Sequence, residues 1–238
     1  MGALLVQKIK TYIEGFDDKM NGGIPKGNVV IIAGEPGTLK SSIAFYLLYN
    51  NAKCEGRCGA YITLEQGRES LVQQLNSLGM DPATVESKVS LVDLALIRKN
   101  MDKLGQQTWM QIFKTYTTNL KESLDYELLV IDSLQVLEML GNLETPRQDL
   151  FHFFEWLRDL KVTTFIISET KAGSDVYAEK GEDFLSDGII HLKMDKVDDV
   201  NVQRRIRCVK MRGTGHSTNY YTLLFQDGVF QATRVIGE

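Results

Sequence analysis

Gly34-Glu35-Pro36-Gly37-Thr38-Leu39-Lys40-Ser41-Ser42 is the stretch whose reading decides the fold. Ahead of it runs Val29-Val30-Ile31-Ile32-Ala33, apolar and β-branched, and behind it residues 43–52 have a helical pattern. A strand that hands over to a helix through a glycine-bearing loop ending in Lys-Ser is the setting of a phosphate-binding loop. Small residues there let successive backbone N–H groups turn toward phosphate oxygens, and the helix N-terminus adds positive potential. Lys40 is placed for the β- and γ-phosphates, and the Ser41 hydroxyl for Mg²⁺. One position departs from G-x-x-x-x-G-K-[ST]: Leu39 stands where the pattern has glycine. The stretch therefore predicts a nucleotide site and leaves the rate of turnover open.

Outward from this loop the chain alternates strands and helices. Gly59-Ala60-Tyr61-Ile62-Thr63-Leu64 reads as a strand with Glu65 at its end, and Leu128-Leu129-Val130-Ile131-Asp132 as a central parallel strand buried on both faces. In open α/β sheets ligands collect at the carboxyl ends of strands, so both acids are directed toward the nucleotide. Asp132, about 90 residues beyond the loop, suits the acid that holds the Mg²⁺ hydration shell opposite Ser41. Residues 162–168 form another buried strand and bring the polar pair Ser168 and Glu169 to a third strand end. Residues 89–92 make a short strand.

Helices are expected over 68–78, capped by Gly79, and over 147–161 with Leu150, Phe153, Phe154 and Leu157 inward. A third, of undefined start between 93 and 119, has Trp109, Ile112, Phe113 and Tyr116 as its apolar face. From Gly188 the period changes, and strands over 189–194, 203–211, 220–225 and 229–232 are expected to extend the sheet in antiparallel fashion. The expected fold is α/β: a mostly parallel twisted sheet flanked by helices, with antiparallel C-terminal strands. It forms one domain over 1–238, with 1–28 as an entry segment.

Bulk properties narrow the function. The 238 residues are 43% hydrophobic and 24% charged with net charge −4, so the chain lacks the basic excess of a protein that grips nucleic acid through phosphates. Cys54, Cys58 and Cys208 form neither an even disulfide set nor a metal-ligand pattern and read as free thiols. With no signal-like leader and no apolar run long enough to span a membrane, the expectation is a soluble cytoplasmic protein.

Further segments share one resemblance. They are Ile13-Glu14-Gly15-Phe16-Asp17 with Gly22-Gly23-Ile24-Pro25-Lys26-Gly27, the loop at Gly34, and Tyr61-Ile62-Thr63-Leu64-Glu65. The Asp132 strand, residues 163–169, residues 182–188 and Val209-Lys210-Met211-Arg212-Gly213-Thr214-Gly215-His216 complete the set. Over nearly its whole length the chain resembles the single-domain KaiC-like ATPases of the RecA superfamily.

The resemblance implies a RecA-like P-loop core that binds ATP or ADP with Mg²⁺. It implies that Glu65 is the carboxylate that orients the attacking water, with Gln66 in place of a frequent second acid. Lys40, residues Glu35 to Ser42, Asp132 and Ser168 are then expected around the nucleotide. The resemblance places Lys210, Arg212 and His216 in a segment that reaches a neighbouring subunit's γ-phosphate. A homo-oligomer, a hexameric ring first of all, follows from that. Where the resemblance places adjacent Ser and Thr phosphoacceptors in two-domain relatives, this chain has Asp183 and Phe184, which argues against autokinase activity of that type.

Three functions compete. One is a slow Mg²⁺-dependent ATPase that drives subunit rearrangement and acts on a protein signalling partner. Another is a non-hydrolysing ATP-sensing scaffold, similar to the nucleotide-binding regulator of the archaeal motility motor. The third is a DNA-pairing module of the RecA/RadA kind, for which the polar loop at 171–183 offers only Lys171 and Lys180 as cations.

Overall fold

The computed structural model describes residues 7–94, 108–141, 143, 145–173, 177 and 181–234. The N-terminal half contains β1 (Lys8–Ile9), β2 (Ile24–Pro25), β3 (Val29–Gly34), α1 (Lys40–Glu55), β4 (Gly59–Thr63), α2 (Arg68–Ser77) and β5 (Val89–Asp93). Then come α3 (Trp109–Leu124), β6 (Leu128–Asp132), α4 (Leu134–Gly141), α5 (Pro146–Asp159), β7 (Thr163–Glu169) and α6 (Glu182–Leu185). The chain closes with β8 (Gly188–Lys196), β9 (Val202–Met211), β10 (Tyr221–Gln226) and β11 (Val229–Arg234). β1 pairs with β2, and the other nine strands form one sheet in the order β11-β10-β9-β8-β3-β7-β6-β4-β5. Neighbours from β5 to β8 run parallel. β9, β10 and β11 continue the sheet antiparallel, as the change of period predicts.

Alternation along β3 explains why its sequence is apolar without a break. Val30 and Ile32 enter a core shared with Phe45, Leu48 and the N-terminal segment. Val29, Ile31 and Ala33 enter a second core with Phe113, Leu137, Phe153 and Phe154. Both faces of the strand are thus covered, as a central parallel strand requires. The entry segment belongs to the first core: Ile13, Phe16 and Met20 are buried, and the Glu14 N–H donates to the Phe230 carbonyl at 2.9 Å. Gly23, at φ 121°, admits no side chain, because a Cβ would lie 2.5 Å from the Ile9 carbonyl oxygen.

Helix boundaries differ from expectation for local reasons. α3 begins at Trp109 because Thr108 and Gln111 form a reciprocal capping box. Its buried side is Trp109, Phe113 and Thr117, whereas Tyr116 is 37% exposed. The aromatic face is rotated from the one expected: the i, i+4, i+8 row faces the core, and the Thr117 carbonyl accepts the Tyr126 hydroxyl at 3.0 Å. α5 starts at Pro146, a proline suited to a first helical position, and ends before Lys161, whose φ of 55° is left-handed. α4 is a helix the patterning had not singled out. Part of the expected 171–183 loop, including Lys180, lies outside the described residues. Among the described residues no helix is long and apolar enough to cross a membrane, and the three cysteines are free thiols.

Asp187 joins the parallel and antiparallel parts of the sheet. Its carboxylate accepts from the Val29 N–H at 3.0 Å, Arg158 Nε at 3.3 Å and Arg212 Nη1 at 3.1 Å, while its own N–H donates to the Val29 carbonyl at 2.8 Å. Burial alone would raise its pKa, but these donors outweigh burial and hold it below the ordinary 3.8. A depressed acid stabilises the fold above its unfolded pKa, and that stabilisation drains away as pH falls through 3.8 and then the lower folded value. Both arginines are partly exposed, which discounts their share. Asp187→Asn is expected to cost about 1–2 kcal/mol at neutral pH in urea unfolding and to flatten the loss of stability below about pH 4.

Candidate active site

The parallel strands bring their carboxyl ends to one edge, and a cleft of about 550 Å³ opens there. Pro36, Gly37, Leu39, Lys40 and Ser41 line it from the loop after β3, and Glu65 and Gln66 from the end of β4. Gln74 of α2, Asp132 of β6, and Ile167 and Glu169 of β7 complete the wall. β6 and β7 separate β3 from β4 in the sheet, so the chain leaves β3 and returns three positions along, whereas from β7 it crosses the other way to β8; the point between β3 and β7 is a topological switch point, where α/β sheets bind ligands.

The loop is bare backbone where it leaves β3. A Cβ on Gly34 would meet the Leu192 carbonyl oxygen at 2.5 Å and Thr38 Oγ1 at 3.0 Å. Thr38 is buried, and its hydroxyl donates to the Glu35 carbonyl at 2.7 Å. That carbonyl also accepts from Lys40 Nζ at 2.9 Å. The Gly37 carbonyl accepts from Arg204 Nε at 3.1 Å, which ties the loop to β9. The backbone N–H groups of the first turn of α1 have no helical partner and are available to an anion.

Leu39 acquires a physical explanation here. Its φ of 71° and ψ of 28° are left-handed, a conformation glycine adopts freely and leucine only at a cost of about 1–2 kcal/mol. The side chain is half-buried, lines the cleft and packs on the core shared with α1. The glycine of the usual pattern therefore answers a backbone need, and in this chain the need is met under strain.

Charge in the cleft is unevenly set. Lys40 is buried, and burial pulls its pKa down against the opposing effect of Glu169, Asp132, Glu65 and Glu35. Burial raises the pKa of Asp132, opposed by hydrogen bonds from the hydroxyls of Tyr61 and Ser41; the Tyr61 hydroxyl donates at 2.6 Å. Glu65 is also raised, by partial burial and then by the like charges of Glu169 and Asp132.

Among the described residues no three His, Cys, Asp or Glu side chains stand together as a metal cage. Mg²⁺ keeps waters and phosphate oxygens and takes only one or two protein ligands. The hydroxyl of Ser41 beside the carboxylate of Asp132 is such a pair.

Other expected residues stand elsewhere. Ser42 is buried and accepts from Gln74 Nε2 at 3.2 Å. Ser168 turns to the face opposite its neighbours Ile167 and Glu169, because strand side chains alternate, and its hydroxyl accepts from Gln135 Nε2 at 3.0 Å. Lys210, Arg212 and His216 do not line the cleft of their own chain. Lys210 Nζ donates to the carbonyls of Asp183 at 3.0 Å and Ser186 at 2.7 Å, and Arg212 Nη2 to that of Phe184 at 3.2 Å. His216 lies in the segment whose Ser217 N–H donates to the Lys19 carbonyl at 2.8 Å.

Tyr61 and Gln74 were not anticipated. Period-two spacing puts Tyr61, Thr63 and Glu65 on one side of β4, and Gln66, Ser70 and Gln74 recur at the four-residue interval of one helix face. Tyr61 lies in a segment that carries the family resemblance, but nothing in it points to the Asp132 hydrogen bond, and no motif marks Gln74.

The family model described as the KaiC ATPase matches residues 9–231. The circadian clock protein KaiC2 of Synechocystis sp. is 27% identical over 230 residues, which cover 94% of this chain and 40% of that protein. The circadian clock oscillator protein KaiC of Picosynechococcus sp. is 27% identical over 229 residues, covering 94% and 44% respectively. This chain thus spans less than half the length of these relatives. Among solved structures, the KaiC-like protein of Pyrococcus horikoshii OT3 aligns with a TM-score of 0.81 at 26% identity, over 95% of this chain and 99% of that one. By a family match that takes in the loop at Gly34, the cleft acids and the Lys210 strand, on a RecA-like fold, the chain belongs to the KaiC family of ATPases.

Proposed function

We propose that the chain is a slow Mg²⁺-dependent ATPase that works as a homo-oligomeric, hexameric ring with a regulatory role. Each nucleotide sits in one subunit's cleft and is completed by Lys210 and Arg212 of the next subunit. The convergence of Lys40, Ser41, Asp132 and Glu65 on one cleft carries the reading. That Lys210 and Arg212 lie outside their own chain's cleft favours a role in trans. The clock-protein names of the relatives support the regulatory part.

In this mechanism the loop N–H groups and Lys40 hold the β- and γ-phosphates. Ser41 and Asp132 would hold Mg²⁺, the latter through water, and the bound ion would neutralise phosphate charge. Glu65 orients a water and takes its proton as the water oxygen bonds to the γ-phosphorus. The bond to the β–γ bridging oxygen breaks, and ADP leaves with that oxygen. The proton passes from Glu65 to the released phosphate. Lys210 and Arg212 of the neighbour stabilise the equatorial oxygens.

A second reading is a sensor that binds ATP without turnover. The strained Leu39 and the amide of Gln66, which cannot act as a base, favour it.

Three measurements separate these ideas. Glu65→Gln is expected to lower phosphate release by about 100-fold or more while ATP still binds. Wild-type release no faster than this variant's would leave only the sensor. Leu39→Gly, which relieves the left-handed strain and frees space by the phosphates, is expected to raise kcat by about 3- to 10-fold; an unchanged or lower kcat would locate the slow step elsewhere. Lys40→Ala and Arg212→Ala subunits, each inactive alone, are expected to recover about a quarter of wild-type activity when co-assembled at random, because each heterologous interface joins two chains. No recovery would assign Arg212 to its own subunit.

A further inference from the structure

Gln66 follows Glu65 where the family resemblance suggests a second acid, and its side chain is engaged along α2. Gln66 Nε2 donates to Ser70 Oγ at 2.8 Å and to Gln74 Oε1 at 3.3 Å. Gln74 Nε2 in turn donates to Ser42 Oγ at 3.2 Å, in the first turn of α1. Ser42 is buried, and both glutamines line the nucleotide cleft. At its other end the turn that carries Glu65 is stapled to β4, since the Thr63 hydroxyl donates to the Gln66 carbonyl at 2.7 Å and accepts from the Gln66 N–H at 3.1 Å.

We propose that Ser42, Gln74 and Gln66 form a polar strut that sets Glu65 relative to the phosphate-binding helix, with Gln74 as its positioning residue. The catalytic consequence rests on the role of Glu65 in the ATPase reading. An amide suits this task because it donates at one end and accepts at the other, so two in series can relay an orientation from hydroxyl to backbone. Neutrality is a second reason. Glu35, Glu65, Asp132 and Glu169 already act on Lys40, and a fifth carboxylate at position 66 would weigh further against a triphosphate. The missing second acid is thereby explained as a replacement of charge by rigidity. Because Ser42 lies two residues beyond Lys40, the strut takes its reference from the helix that receives the phosphates.

Gln74→Met, close in shape and without hydrogen-bonding groups, tests the strut. It is expected to lower kcat by about 10- to 100-fold while KM for ATP stays within about threefold, since a misplaced base loses transition-state stabilisation more than binding. Gln74→Glu keeps hydrogen bonds to the Gln66 amide and the Ser42 hydroxyl but adds a fifth carboxylate to the cleft, so it is expected to restore wild-type exchange at residues 64–67 while raising KM for ATP. Independently of turnover, amide hydrogen exchange at residues 64–67 is expected to rise at least about threefold in Gln74→Met, with β3 and β6 unchanged. Wild-type exchange at 64–67, or wild-type kcat in Gln74→Met of an active enzyme, would overturn the proposal. Failure of the ATPase reading is distinct: it shows as wild-type phosphate release no faster than that of Glu65→Gln, and the exchange comparison still decides the strut.

Discussion

Strand β3 has apolar side chains packed on both faces and paired strands on both edges, so its carboxyl end is where function can be presented. A strand enclosed in this way fixes the direction of its parallel neighbours, and β4, β6 and β7 deliver Glu65, Asp132 and Glu169 to the same edge. The loop at Gly34, the Ser41–Asp132 pair and Glu65 therefore belong to one place by consequence of a single packing arrangement. Loss of the two-sided core would scatter them even if every motif residue were kept.

Electrostatics at that edge is demanding. Four carboxylates act on one buried lysine, so the cleft alone is not suited to a triphosphate. In the proposed function a divalent cation would reconcile acids and phosphates, since its charge would reverse the local balance and make Asp132 a partner instead of an obstacle. The hydrogen bonds from Tyr61 and Ser41 keep a buried acid usable against the rise that desolvation imposes on its pKa. Leu39, left-handed and at the cleft wall, adds a steric condition to this electrostatic one.

The antiparallel strands tie the fold to the proposed assembly. Asp187 holds the start of β3, α5 and the end of β9 in one hydrogen-bonded cluster. Lys210 and Arg212 are presented from there, bonded to the turn at 183–187 and apart from their own chain's cleft. In the proposed ring this orientation turns a structural cluster into a neighbour's catalytic surface.

Order along the chain was enough to recognise the strand-loop-helix at Gly34, the acid-ended strands at Glu65 and Asp132, and the change to antiparallel pairing after Gly188. Each of these is a local pattern in which side-chain period, glycine placement and chain direction act over a few residues. Residues whose roles depend on contacts between elements were not legible in that way. Ser168 and Glu169 are adjacent in sequence, yet only the alternation of a strand in its actual register sends one to the cleft and the other to Gln135. Thr117, not Tyr116, completes the buried row of α3 with Trp109 and Phe113, and the Tyr126 hydroxyl from outside the helix comes to its carbonyl. The Gln66–Gln74–Ser42 connection and the left-handed turn at Leu39 were likewise decided by tertiary structure, since a hydrogen bond between helices and a backbone angle have no signature in composition or spacing.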